Sequence, residues 1–144
     1  MLAVCILAFS SCKKSNTAPK PAAQSISLTF NGTAYSASAP FASYSKSQNA
    51  LQVVGNFGTT ATIYLAIPLN FKVGSFDIAN GDAAATFSNG ASLSDSYIAD
   101  TGTIVITSFT STTVAGTFQF SGTDLSGVAG TATGGKFQAN YTNQ

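Results

Sequence analysis

The sequence predicts an all-β domain, a single antiparallel β-sandwich or flattened barrel of about 8–10 strands in a largely meandering order. Three observations predict it. Apolar residues alternate with polar ones in successive runs, the period of a strand with one buried face. Turn residues, notably Asn-Gly pairs, separate these runs at spacings of about 8–12 residues. No stretch carries a helical period, and the Ala-rich segment 79–85 is interrupted by Gly81.

The elements follow in order. Ile26, Leu28 and Phe30 alternate with Ser25, Ser27 and Thr29. Asn31-Gly32 then gives a hairpin, because a type I′ turn needs positive φ at both central residues. The returning strand is Thr33–Ala37, and Phe41–Ser45 follows Pro40. Leu51, Val53, Gly55 and Phe57 alternate, the chain turns at 58–60, and Ala61, Ile63, Leu65 and Ile67 run back. Pro68 ends that strand, since proline cannot donate to a ladder. Shorter strands are expected at Ser75–Ile78, Ala83–Phe87 and Asp95–Ala99, divided by Asn80-Gly81-Asp82 and Asn89-Gly90. Thr103–Phe109 and Thr113–Phe120 form the next hairpin around 110–112. The last strand, Gly134–Tyr141, puts Phe137, Ala139 and Tyr141 on one face and Lys136, Gln138 and Asn140 on the other. Consecutive hairpins place neighbours in sequence beside each other in space.

Ahead of the domain lies a different kind of sequence. Residues 1–11 read as a lipoprotein signal peptide: Leu2–Phe9 is apolar, Ser10 and Ser11 are small, and Cys12 follows. The run is far short of the roughly 20 residues a membrane-spanning helix needs. Cys12 resembles the lipid-modified cysteine of a lipobox, although no Lys or Arg precedes the run and Phe9 stands where Leu is usual. Cys5 is a poorer site, because Val4 before it is not small. Residues 12–24, with Pro19 and Pro21 and no apolar period, read as a lipid-anchored flexible tether, and 25–144 as the all-β domain. An extended tether of this length reaches roughly 35–40 Å at about 3.1 Å per residue.

Composition removes most catalytic chemistry. Only 8% of the 144 residues are charged, against about 25% in an average globular protein. His, Glu, Arg and Trp are absent, and both cysteines precede the domain. That excludes Ser-His-Asp and Cys-His catalysis, zinc sites built on imidazole or thiolate, and a stabilising disulfide. Lys13, Lys14 and Lys20 sit in the tether, leaving Lys46, Lys72 and Lys136 against five Asp in the domain. A mildly acidic surface without clustered cations does not suit nucleic acid.

The remaining candidates are few. Asp95 and Asp100 are the nearest carboxylates for a hydrolase. In one extended strand an odd separation turns them to opposite faces. Asp77, Asn80 and Asp82 offer oxygens around Gly81, yet without the alternating spacing and terminal Glu of a calcium loop. Asn-Gly-Asp is ordinary turn chemistry, so no metal or other cofactor is expected. Lys46 between two serines reads as a solvated lysine rather than half of a Ser-Lys dyad. Among the five Tyr and eleven Phe, Tyr44 and Tyr64 are the candidate outward-facing ligand contacts. An aromatic platform beside Asn and Thr groups suits a sugar or a peptide.

Phe30-Asn31-Gly32-Thr33-Ala34-Tyr35-Ser36-Ala37, Gly74-Ser75-Phe76, Gly116–Phe120 and Gly135–Phe137 together resemble the strand motifs of small lipoproteins common in Bacteroidota. That resemblance spans nearly the whole domain and implies an all-β fold and an envelope location. It implies no catalytic residue. In such proteins an acidic stretch after the lipid cysteine resembles a signal for surface export, and this chain has Lys-Lys-Ser-Asn there. The expectation is therefore an outer-membrane lipoprotein on the periplasmic face, monomeric, held to the membrane through its lipid. Its expected role is a non-enzymatic binding module for a glycan or a protein partner. The alternative is a structural or accessory envelope component without a small ligand, and the third reading is an Asp-based hydrolase.

Overall fold

The computed structural model describes residues 23–45, 47, 49–68 and 73–143. The signal-like segment, Cys12, most of the tether, Lys46 and Lys72 lie outside the described residues. Ten strands are present: β1 (Ser25–Phe30), β2 (Thr33–Ala37), β3 (Phe41–Ser45), β4 (Ala50–Phe57), β5 (Ala61–Pro68), β6 (Gly74–Asp77), β7 (Ala84–Ser88), β8 (Ser96–Phe109), β9 (Thr113–Thr123) and β10 (Ala129–Asn143). Among the described residues the only helical element is a short 3-10 turn at Leu93–Asp95.

The all-β expectation holds, in the form of a closed barrel with extra strands. Seven strands close the ring β10-β3-β4-β5-β7-β8-β9 and return to β10. The β1–β2 hairpin hangs on β10 beside the ring, and β6 pairs with the later part of β8. The ring uses two pairings that a pure meander lacks: β5 pairs with β7, past β6, and β10 runs parallel to β3, with Tyr141 opposite Ala42. The earlier part of β10 is already paired with β1, from Gln138 back to Ala132. Only the end of β10 is left for β3.

Two strands are longer than alternation alone suggests. β8 runs unbroken from Ser96 to Phe109, through the Asp100-Thr101-Gly102 segment that reads as a break. β10 begins at Ala129 rather than Gly134. Both contain a bulge: the register shifts between Ala99 and Thr101, and between Ala132 and Gly135. Gly134 (φ +60°) supplies the positive φ that the β10 bulge uses, while the extra residue of the β8 bulge is Asp100, two residues ahead of Gly102 (φ +137°). A bulge resets which residues point inward, so the period breaks while the strand continues.

The interior is filled by the residues that the alternation selects. Ile26, Leu28 and Phe30 from β1, Leu51 and Val53 from β4, and Ile63, Leu65 and Ile67 from β5 are buried, as are Phe87, Ile104, Ile106 and Val114. Each such large side chain contributes roughly 1.5–3 kcal/mol by leaving water. Phe30 packs against Phe87 (ring centroids 4.3 Å) and edge-on to Tyr97 (4.8 Å). Tyr35 of β2 leans over this cluster, 5.1 Å from Phe87 and 5.6 Å from Phe57. At Gly55 a Cβ would meet Ile26 Cγ2 at 2.5 Å, so β4 and β1 approach too closely for any side chain there.

Candidate functional site

The inward positions of the strands hold the buried core. The ladder registers show what the outside presents, because residues paired across strands point to the same face. Phe41 pairs with Val54, Val54 with Tyr64, Tyr64 with Thr86, and Thr86 with Ile98. These five form one outward row across β3, β4, β5, β7 and β8. At about 4.8 Å per strand it spans roughly 19 Å. Phe41 and Ile98 are each 54% exposed, and the three residues between them are half-buried.

Polar and small residues flank this row. On one side lie Asn56, Thr62, Ser88 and Ser96, paired in that order. Thr62 donates its hydroxyl to Asn56 Oδ1 at 3.1 Å, and the Ser88 and Ser96 hydroxyls are 2.7 Å apart. On the other side lie Ser43, which is only 5% exposed, Gln52, Ala66 and Ala84. The row thus has a polar border on the Asn56–Ser96 side and a mostly small one on the other. None of these residues is charged. The far side of the barrel differs: Thr101, Ser121 and Thr131 form a hydroxyl row there, with Ser121 and Thr131 hydroxyls 3.1 Å apart.

The two candidate tyrosines part company. Tyr64 sits in the middle of the outward row. Tyr44 pairs with Leu51, which is fully buried, so Tyr44 points inward with Ala42 and Leu51 at one end of the barrel. The expectation that both face outward is therefore corrected for Tyr44. The reason is the parity of β3: Phe41, Ser43 and Ser45 lie on the face of Val54 and Gln52, with Ser43 covered there, and Ala42 and Tyr44 lie on the face of the buried Val53 and Leu51, with Tyr44 half-buried. The residues that join Tyr64 are Phe41, Val54, Thr86 and Ile98. Alternation assigns each of them to one face of its own strand, and only the register aligns them.

The acidic candidates serve their own turns. Asp77 Oδ1 accepts the Asn80 N–H at 3.2 Å, and the Asp77 carbonyl accepts the Asp82 N–H at 2.9 Å. Among the described residues no three His, Cys, Asp or Glu side chains gather at one point. Asp95 lies in the 3-10 turn rather than in a strand, so the parity argument for it does not apply. Its Oδ2 accepts the Ser92 N–H at 3.1 Å, while Asp100 Oδ2 accepts the Thr123 hydroxyl at 3.5 Å. The two carboxylates have separate partners. A cleft of about 750 Å³ lies elsewhere, between Ser36–Ala39 and the β4–β5 turn at Asn56 and Gly58.

A family described as a domain of unknown function, DUF6252, matches residues 22–140. The chain belongs to the DUF6252 family. No curated protein and no solved structure matches it. The DUF6252 match runs from just ahead of β1 into β10. The Tyr64 row and the cleft beside β2 both lie inside that DUF6252 span.

Proposed function

We propose that this DUF6252 chain is a lipid-anchored binding module of the cell envelope, without enzymatic chemistry, that engages its ligand through the outer face centred on Tyr64. The observation that carries the reading is the row Phe41–Val54–Tyr64–Thr86–Ile98, a part-exposed, mostly apolar row that ends in the exposed Phe41 and Ile98 and is bordered by Asn56, Thr62, Ser88 and Ser96. Three aliphatic or aromatic side chains besides Tyr64 favour a peptide or protein ligand over a glycan, which would use Tyr64 with Asn56 and Gln52. The anchor rests on the sequence around Cys12, with two or more acyl chains giving stable attachment. Lys-Lys-Ser-Asn after Cys12 supports the periplasmic face of the outer membrane.

The test is a screen of the purified protein against glycan and peptide arrays, repeated with Tyr64→Ser. Binding should fall by at least about tenfold in the variant, a loss of about 1.4 kcal/mol. Absence of any ligand at millimolar concentration contradicts the proposal.

A further inference from the structure

We propose that Asn89 is a self-modifying site, which the folded chain converts to aspartate and isoaspartate through attack by the Gly90 backbone nitrogen, while the fold protects the other Asn-Gly pairs. The inference does not depend on the Tyr64 reading. Asn-Gly occurs three times, at 31–32, 80–81 and 89–90. The reaction needs no partner but water. The glycine nitrogen attacks the asparagine Cγ, and the bond from Cγ to the side-chain nitrogen breaks. The proton of the glycine N–H leaves on that nitrogen as part of ammonia. Water then opens the cyclic imide at either carbonyl, leaving a carboxylate on an aspartyl or an isoaspartyl residue. Glycine suits the step because no Cβ shields its nitrogen.

The three pairs share a sequence and differ in how the fold ties them. Asn31 is clamped to β10: its N–H donates to the Thr131 carbonyl at 3.0 Å, and its Oδ1 accepts the Thr131 N–H at 2.9 Å. Its side chain must release Thr131 before Cγ can turn to the Gly32 nitrogen. At Asn80 the nucleophile is engaged instead. The Gly81 N–H donates to the Ile78 carbonyl at 3.0 Å, and the Asn80 N–H donates to Asp77 Oδ1 at 3.2 Å. A hydrogen bond that must break first slows a step by about two- to tenfold. Asn89 carries neither restraint. It is exposed, and among the described residues neither its side chain nor the Gly90 N–H has a hydrogen-bond partner. Its own N–H donates to the Asp95 carbonyl at 3.1 Å, which fixes the pair at the end of β7.

The glycine is also required where it stands. A Cβ on residue 90 would overlap the Asp95 carboxylate, whose Oδ2 accepts the Ser92 N–H at 3.1 Å. The connection after β7 thus depends on the residue that makes Asn89 reactive. Conversion places a negative charge one residue beyond Ser88, next to a border whose Asn56, Thr62, Ser88 and Ser96 are all uncharged.

The test incubates the full-length protein at mildly alkaline pH, folded and in urea, and follows each pair by mass spectrometry of chymotryptic peptides. Cleavage after Phe, Tyr and Leu places the pairs in the separate peptides Asn31–Tyr35, Asp77–Phe87 and Ser88–Leu93. In the folded protein Asn89 should convert at least about fivefold faster than Asn31 and Asn80, with isoaspartate among its products. In urea, where the restraining hydrogen bonds are gone, the rates should fall within about twofold of one another. Asn89→Gln should remove conversion from Ser88–Leu93 and leave the other two peptides as they were. The inference is overturned if Asn31 or Asn80 keeps pace with Asn89 in the folded protein, or if no pair converts while folded and all convert in urea. It is also overturned if the same order persists in urea, which would trace it to local sequence. Conversion of Asn89 to aspartate alone, without isoaspartate, would overturn the attack by Gly90.

Discussion

Tyr44 and Tyr64 stand on opposite faces of the same sheet, two strands apart. Tyr44 pairs with Leu51 and faces the core, while Tyr64 pairs with Val54 and Thr86 on the outer surface. The same substitution should therefore have opposite consequences at the two positions. Tyr44→Ala removes a half-buried inward ring and should cost about 1–3 kcal/mol of stability, less than the 3–5 of a fully buried aromatic. Ligand binding should be unchanged. Tyr64→Ala should leave stability within about 1 kcal/mol, as surface changes do, and should reduce binding. Urea titration and a binding isotherm on both variants check the split.

Gly55 of β4 faces Ile26 of β1, so closely that a Cβ on Gly55 would overlap the Ile26 side chain. Gly55→Ala places a methyl against Ile26 Cγ2, and overpacking of this kind costs typically 1–3 kcal/mol. Trimming Ile26 to Ala, which removes the Cγ2 methyl, should recover part of that loss. A double-mutant cycle measured by denaturant unfolding should give a favourable coupling of at least about 0.5 kcal/mol. Simple additivity would show that the two sites do not meet.

The two positive-φ glycines Gly102 and Gly134 should differ in tolerance. At Gly102 a Cβ would strike the Gln119 carbonyl and the Phe120 backbone, whereas at Gly134 it would meet open space. Gly134→Asn should cost only about 1 kcal/mol, because Asn tolerates the left-handed region. Gly102→Ala combines a strained φ with a backbone clash and should exceed it by about 1–3 kcal/mol. Thermal melts of the two variants test the order.

The proposed lipid anchor rests on Cys12. Cys12→Ala should shift the protein from the membrane pellet to the soluble fraction while leaving the melting temperature of the domain unchanged. A variant that still pellets contradicts lipid anchoring.

The inner surface of the barrel was legible in the sequence because burial acts on each strand separately. Ile26, Leu28 and Phe30 announce their face through their own neighbours, and so do Ile63, Leu65 and Ile67. The strand lengths were less legible, since the bulges at Asp100 and around Gly134 reset the alternation inside β8 and β10. The parallel β3–β10 contact left no local trace, because Ala42 and Tyr141 meet across most of the chain. The Tyr64 row was hidden for the same reason. Phe41, Val54 and Ile98 look like ordinary strand residues until pairing aligns them, and Tyr44 looked outward only because serines flank it.

The claim that this barrel works through its outer Tyr64 face is tested most directly by amide chemical-shift mapping. The isotopically labelled protein would be titrated with the tightest ligand from the array screen. The account predicts saturable shifts centred on Phe41, Val54, Tyr64, Thr86 and Ile98. Saturable shifts centred instead on the hydroxyl row Thr101, Ser121 and Thr131, with the Tyr64 row unmoved, would contradict it.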